Sequence, residues 1–268
     1  MNNVLLSKSA RWWLVALAAT ACVTATTDSA QVVSGQRKAL PRVGEFIGRI
    51  HRSSKDELPY RLFVPRKLVA ERRYPLILWL HGGGGVGTDN VKQIEGDQVP
   101  GTQTWTTPER QAEHPAFVLA PQTAVGWGDL SSPELGPTLT LVVQILDALL
   151  SEFPIDPRRV YVLGQSVGGY GVVNLISKKP ERFAAAIILC PTPGALTHVP
   201  RAATVPVWIF QGDTDLFGRL AGSRALVAAL KQAGGHPRYT EYPNLGHDIW
   251  TRVFAEPEIV PWLFAQRR

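Results

Sequence analysis

The chain has 268 residues, of which 45% are hydrophobic and 19% charged, and it carries a net charge of +6. That composition excludes a disordered, collagenous or low-complexity protein and leaves room for one large core. The basic residues fall in scattered pairs (Arg37 and Lys38, Arg72 and Arg73, Lys178 and Lys179, Arg267 and Arg268) rather than in a stripe interleaved with aromatics, so no nucleic-acid partner is expected.

The first predicted element is a targeting segment over residues 1–30. Lys8 and Arg11 precede the apolar stretch "WWLVALAATACVTA", which is short for a comfortable membrane span. Three fates are compatible with it. A signal peptidase could cut after Val23-Thr24-Ala25. Cys22 could carry lipid, although Ala19 stands where a bulky aliphatic residue usually precedes such a cysteine. The segment could also stay as an uncleaved anchor. Each implies export, periplasmic or secreted, with membrane association only through this segment and a working domain over 40–268. Without Cys22, Cys190 has no partner, so no disulfide is expected; ending the run "AAAIILC", it reads as a buried small hydrophobe.

"EFIGRIHRSSKDELPYRLFVP" predicts two strands around a polar turn at Ser53 to Asp56. "YPLILWLHGGGG" and "PAFVLAPQ" predict buried strands. "GPTLTLVVQILDALLSEFPID" has apolar residues at helical spacing behind Pro137, a residue suited to a first turn. "RVYVLG" is a strand and "VGGYGVVNLISKKP" a helix stopped by Pro180. "FAAAIILC" and "VPVWIFQG" are strands around a loop, "GRLAGSRALVAALKQAGG" a helix and "PRYTEYP" a strand. The tail from Asp248 is helical, broken by Pro257 and Pro261. After the hairpin, strands and helices alternate, and the strands are continuous apolar runs. That pattern predicts an α/β fold: a mostly parallel central sheet covered by helices on both faces, preceded by an antiparallel hairpin. Functional residues of such a sheet gather at the carboxyl ends of its strands.

At one such end stands "GQSVGG". A strand turning abruptly into a helix forces Ser166 into a strained conformation and lifts its hydroxyl clear, and neighbouring chains approach so closely that Gly164 and Gly168 must be small. This is the G-x-S-x-G nucleophile elbow; the competing reading is a helix start with Ser166 as its N-cap. A serine hydroxyl needs a base. Of six histidines, His51, His114 and His236 lie at the wrong places, His198 stays possible, and His81 is expected to brace the following loop. His247, after the last strand, has the right edge and chain order. Asp215 is the candidate that orients the imidazole, with Asp213 in reserve. Asp213 and Asp215 lack clustered His or Cys ligands, so no metal is expected.

"HGGGGVGT" contains G-x-G-x-x-G at Gly82, Gly84 and Gly87, but "VLAPQ" brings no acid and no Gly-Lys-Ser/Thr follows, so neither a dinucleotide nor a phosphate loop, and no cofactor, is expected. The run reads instead as part of an oxyanion hole, with donors from Val167 and Gly83 and with Gly84 as alternate.

Together "YRLFVP", "YPLILWLHGGG", "FVLAPQ", "IDPRRVYVLGQSVGGYG", "VWIFQGDTD" and "YTEYPNLGHDIW" resemble the α/β-hydrolase superfamily, and within it the secreted esterase branch often called "predicted peptidase", related to polyhydroxybutyrate depolymerases and feruloyl or acetyl xylan esterases. The likeness spans about residues 43 to 268 and implies a Ser166, Asp215, His247 triad. It also shows departures. Gln211 stands where the family usually has histidine and Val167 where it has methionine; neither is expected to lend a side chain to the triad. The segment after Asp215 lacks the usual proline-rich continuation. The implied activity is cleavage of a small-molecule carboxylic ester by a serine hydrolase. Trp105, Trp127, Phe217 and Trp250 are candidate pocket walls, and the loops "PQTAVGWGDLSSPELG", "PTPGALTHVPRAAT" and 88–113 a candidate roof, with core packing the competing reading for each tryptophan. A peptidase with the same triad would need a gating domain for which the chain has no room, and a non-catalytic binding protein on this fold is the remaining alternative.

Overall fold

The computed structural model describes residues 42–43, 45–216 and 219–268. The expected targeting segment, Cys22 and Phe217 lie outside the described residues. No helix among those described is long and apolar enough to cross a membrane.

The strands among the described residues form one mixed sheet of nine. They are β1 (Arg42–Val43), β2 (Phe46–Arg52), β3 (Glu57–Phe63), β4 (Tyr74–Leu80), β5 (Phe117–Pro121), β6 (Ile155–Gln165), β7 (Ala185–Leu189), β8 (Val207–Gly212) and β9 (Arg238–Tyr242). Their order across the sheet is β1-β2-β3-β5-β4-β6-β7-β8-β9. β1, β2, β3 and β5 pair antiparallel, and from β5 through β4 to β9 all pairs are parallel. The sequence predicts all of these strands except the two-residue β1.

The helices are α1 (Val99–Gln103), α2 (Pro108–Glu113), α3 (Pro137–Glu152), α4 (Val167–Lys178), α5 (Arg219–Gln232), α6 (Trp250–Phe254) and α7 (Ile259–Ala265). Side chains alternate across a strand, and here both faces are covered. Leu76, Leu78, Val160, Val162 and Ile188 join the α3 residues Leu139, Val142 and Leu146 in one core layer. Ile77, Trp79, Tyr161, Leu163 and Ile187 join Val253, Ile259 and Leu263 of α6 and α7 in the other. This is why the strands read as unbroken apolar runs. Each such fully buried side chain contributes roughly 1.5–3 kcal/mol by leaving water.

Two expectations are corrected. Residues 88–113 are not a plain loop: they fold into short helical turns with α1 and α2, and Ile94, Gln98 and Trp105 are buried within them. Pro261 does not break the tail; it sits in the first turn of α7, where a missing N–H costs nothing.

Candidate active site

The parallel strands all point their carboxyl ends at one edge, and the chemistry-bearing side chains collect there. β6 ends at Gln165, and Ser166 turns the chain into α4 with φ 55° and ψ −118°. Such a conformation is strained for a residue with a Cβ and persists only where its surroundings hold it. Its surroundings do. The Ser166 N–H donates to the Leu189 carbonyl (2.9 Å), and the Ser166 carbonyl accepts from the N–H groups of Tyr170 (3.1 Å) and Thr192 (3.2 Å). The glycines make the bend possible: a Cβ on Gly164 would lie 2.6 Å from the Gly168 carbonyl, and one on Gly168 would lie 2.0 Å from the Leu80 carbonyl. No N-cap hydrogen bond engages the Ser166 side chain.

The hydroxyl turns to a histidine instead. Ser166 Oγ and His247 Nε2 are 3.0 Å apart, and His247 Nδ1 lies 2.8 Å from Asp215 Oδ2. Asp215 follows β8 and His247 follows β9, two neighbouring parallel strands. They are drawn together because Gly212 lets the chain at Leu245 and Gly246 pass against it; a Cβ there would be 2.1 Å from the Gly246 carbonyl. Asp213, the reserve, makes no contact with His247: its N–H donates to the Tyr242 carbonyl and its Oδ1 is buried without a partner.

Asp215 is held from several sides. Gln211 Nε2 donates to Oδ2 (3.0 Å), the oxygen that also faces His247, and Ser223 Oγ of α5 donates to Gln211 Oε1 (2.7 Å), fixing which way the amide points. Arg219 Nη1 stands at ion-pair distance, 3.9 Å, from Oδ1. Gln211 does not take the place of Ser166, Asp215 or His247, but its side chain bears directly on Asp215, a contact the sequence reading did not anticipate. A signal for it was present, since a polar residue at the end of the apolar run "VWIFQ" requires an internal partner. Cys190 is free and buried, with φ 39°, and its side chain lies within 4.8 Å of both Asp215 and His247. Burial pushes its thiol well up, with the Asp215 charge adding to the effect, so beside Asp215 and His247 it is a neutral thiol rather than a rival nucleophile.

The glycine turn is built on a second network, in which buried Gln98 and Gln165 meet the exposed Asp97. The Gly82 N–H donates to Gln98 Oε1 (3.0 Å), Gln98 Nε2 to Asp97 Oδ1 (2.8 Å), and Gln165 Nε2 to Asp97 Oδ2 (3.0 Å). It ties the segment after β4 to the residue before Ser166. Gly84 packs against Asp97, leaving no room for a Cβ, whereas Gly83 is open on its Cβ side. Gly83 opens a short helical turn and Val167 opens α4, and a first helical N–H has no acceptor within its own helix. His81 braces the turn as expected. Its Nε2 accepts from the Thr123 N–H (3.1 Å), so Nδ1 carries the proton and donates to the Gly82 carbonyl (2.8 Å). Burial holds the ring neutral, with its pKa down at about 4.

The candidate pocket walls divide. Trp250 meets the His247 ring edge-on at 5.2 Å and borders the site. Trp105 is fully buried against Phe254 and Phe264 with its indole N–H on the Gly101 carbonyl, so it is core beneath the sheet. Trp127 is also core: it packs on His81 and donates to the His81 carbonyl (3.0 Å). Its loop is strapped to α4, with Asn174 Nδ2 on the Trp127 carbonyl and Lys178 Nζ on the carbonyls of Asp129 and Glu134. His198 lies away from the serine, near the Ser131 carbonyl at 3.4 Å.

Comparison with known proteins adds to this geometry. Residues 138–193, which include the elbow, match the Prolyl oligopeptidase family. The crystal structure of a thermostable esterase superposes with a TM-score of 0.78 at 36% identity, covering 84% of this chain and 64% of the other. A protein of Oryza sativa subsp. japonica named "Probable carboxylesterase" is 24% identical over 208 residues, 68% of this chain and 85% of its own. A ferulic acid esterase, at 16% identity and a TM-score of 0.62, covering 81% of this chain and 97% of its own, shares the fold. The chain thus spans just under two thirds of the length of the thermostable esterase.

Proposed function

Because the chain is a member of the α/β-hydrolase superfamily, we propose that it is a serine hydrolase that cleaves carboxylic esters through an acyl-enzyme intermediate. One observation carries the reading: a strained serine, 8% exposed, within 3.0 Å of an imidazole that is itself 2.8 Å from a buried carboxylate. The likeness to esterases supports a hydrolytic enzyme of this kind.

In this mechanism Ser166 Oγ attacks the ester carbonyl carbon while His247 Nε2 takes the hydroxyl proton. General-base help of this sort is worth roughly 10²–10⁴-fold. Asp215 Oδ2, accepting from Nδ1–H, keeps the ring in the tautomer that leaves Nε2 free and offsets the charge of the imidazolium. The negative charge on the former carbonyl oxygen is met by the N–H groups of Val167 and Gly83, each such donor being worth about 3 kcal/mol in the transition state. The intermediate collapses with breakage of the C–O bond, and His247 returns its proton to the departing alcohol oxygen. Water, deprotonated by the same imidazole, then attacks the Ser166 ester; the bond from the acyl carbon to Oγ breaks, His247 returns the proton to Oγ, and the acid leaves. Gln211 and Ser223 act as positioning residues by holding Asp215 Oδ2 in place.

The match of residues 138–193 to the Prolyl oligopeptidase family favours a second reading, amide hydrolysis by the same residues. Hydrolysis of p-nitrophenyl acetate measured beside a panel of peptide p-nitroanilides separates the two. The ester should turn over with a burst and the anilides should not, and Ser166→Ala should lower ester turnover by roughly 10³-fold or more. Faster anilide than ester hydrolysis would favour the peptidase. An undiminished Ser166→Ala rate would end both readings.

A further inference from the structure

The sheet edge opposite Ser166 has a character that hydrolysis does not use. The connection from β3 to β4 contains "RKLVAERR", residues 66–73, and all eight are exposed. Five large apolar side chains are exposed among the described residues, and two of them, Leu68 and Val69, stand side by side at the centre of this stretch. Around one depression lie Arg66, Lys67 and Arg72. Around a second lie Arg73, Arg158, Arg159 and Arg267. The carboxylates lining the two are Glu45, Glu71 and Asp156. Seven cations thus face three carboxylates, a surplus of four in a chain whose whole net charge is +6.

The arrangement is built rather than loose. Arg73 Nη1 donates to the Ile155 carbonyl (3.2 Å), Arg159 Nη2 to the Arg73 carbonyl (2.8 Å), and the Arg268 N–H to the Arg158 carbonyl (3.0 Å), which ties the loop, the start of β6 and the chain end into one surface. Glu45 is paired with Arg66, and Asp156 with Arg159 and Arg267, so the acids are engaged within the cluster. The Arg72 guanidinium lies over the Tyr74 ring at 5.1 Å.

We infer that this edge, through Leu68 and Val69 set among Arg66, Lys67, Arg72 and Arg73, docks the protein on an anionic lipid surface with Ser166 facing away into water. The cations supply attraction to the headgroups, and the two aliphatic side chains have a place to go only if the partner has an apolar interior. A nucleic acid would answer the charge and leave Leu68 and Val69 unused. Docked this way, the site at the opposite edge meets soluble substrates rather than the bilayer's own lipids. The inference does not depend on the proposed chemistry, and it adds a contact apart from the N-terminal segment.

The test is sedimentation of the full chain with vesicles of equal parts phosphatidylglycerol and phosphatidylcholine, and with phosphatidylcholine alone. Binding should require the anionic lipid at about 0.05 M salt and be largely released at about 0.5 M, where screening is within a few ångströms. Arg72→Gln/Arg73→Gln should weaken it by roughly thirtyfold, at about fivefold per cation. Leu68→Ser/Val69→Ser should weaken it as well, and all variants should hydrolyse p-nitrophenyl acetate as the unaltered chain does. Equal partition of these variants and the unaltered chain, binding indifferent to lipid charge, or a shift of duplex DNA without vesicle binding would each overturn it.

Discussion

At the level of single residues, the site is a chain of donors in which each member has one job. Gln211 is the clearest case. Its amide donates to the carboxylate oxygen that faces His247, and Ser223 keeps the amide from flipping. A hydrogen bond to a charged group is worth about 1.5–3 kcal/mol. Gln211→Leu should therefore lower kcat for an ester by roughly ten- to a hundredfold with KM nearly unchanged, because Asp215 moves while the pocket does not; steady-state kinetics checks this, and a change confined to KM would contradict it. His81 works on stability instead. Its folded pKa of about 4 lies below the ordinary 6.5, so the unfolded chain binds a proton first as pH falls. The contribution is fully present above pH 6.5 and is lost as the pH drops towards 4, amounting to about 3 kcal/mol across that window. Urea unfolding at pH 7 and pH 4.5 should show a larger loss for the unaltered chain than for His81→Gln, which keeps a donor and an acceptor but does not titrate.

At the level of elements, the elbow is the most demanding construction. Gly168 leaves no space for a methyl group because the Leu80 carbonyl, part of the backbone of β4, would be 2.0 Å away. Overpacking against backbone costs about 1–3 kcal/mol and more where nothing can give. Gly168→Ala should thus lower the unfolding free energy read from urea titration by at least that amount and remove most activity, since relief requires β4 and α4 to separate. The strands and the long helices are legible in the sequence because two buried faces turn the inner strands β4 to β8 into apolar runs and α3 carries its spacing openly. Ser166, Asp215 and His247 are legible for a related reason: each sits just past a strand whose end is marked. What escapes is short or long-range. β1 is two residues, and α1 and α2 are five and six, too brief to show a period. Ser223 lies on a helix that reads as polar, and only tertiary contact joins it to Gln211. The polar residues closing apolar strands, His81, Gln122, Gln165 and Gln211, are fully buried and hydrogen-bonded, and they are the local mark that such networks leave.

Across the whole molecule, one sheet separates two kinds of surface. The carboxyl ends of the parallel strands carry the strained serine, the imidazole and the glycine turn, and the amino ends carry the cationic loop with its two exposed aliphatics. Parallel pairing enforces the division, since every crossover returns the chain to the same starting edge. The chemistry proposed for the first edge stands or falls with the reactivity of one oxygen. Reaction of the intact protein with a fluorophosphonate, followed by mass mapping of the adduct, measures it most directly. One equivalent should attach to the peptide containing Ser166, at a rate that collapses in His247→Ala. No adduct, or an adduct on another residue that forms equally well in Ser166→Ala, would contradict the assignment.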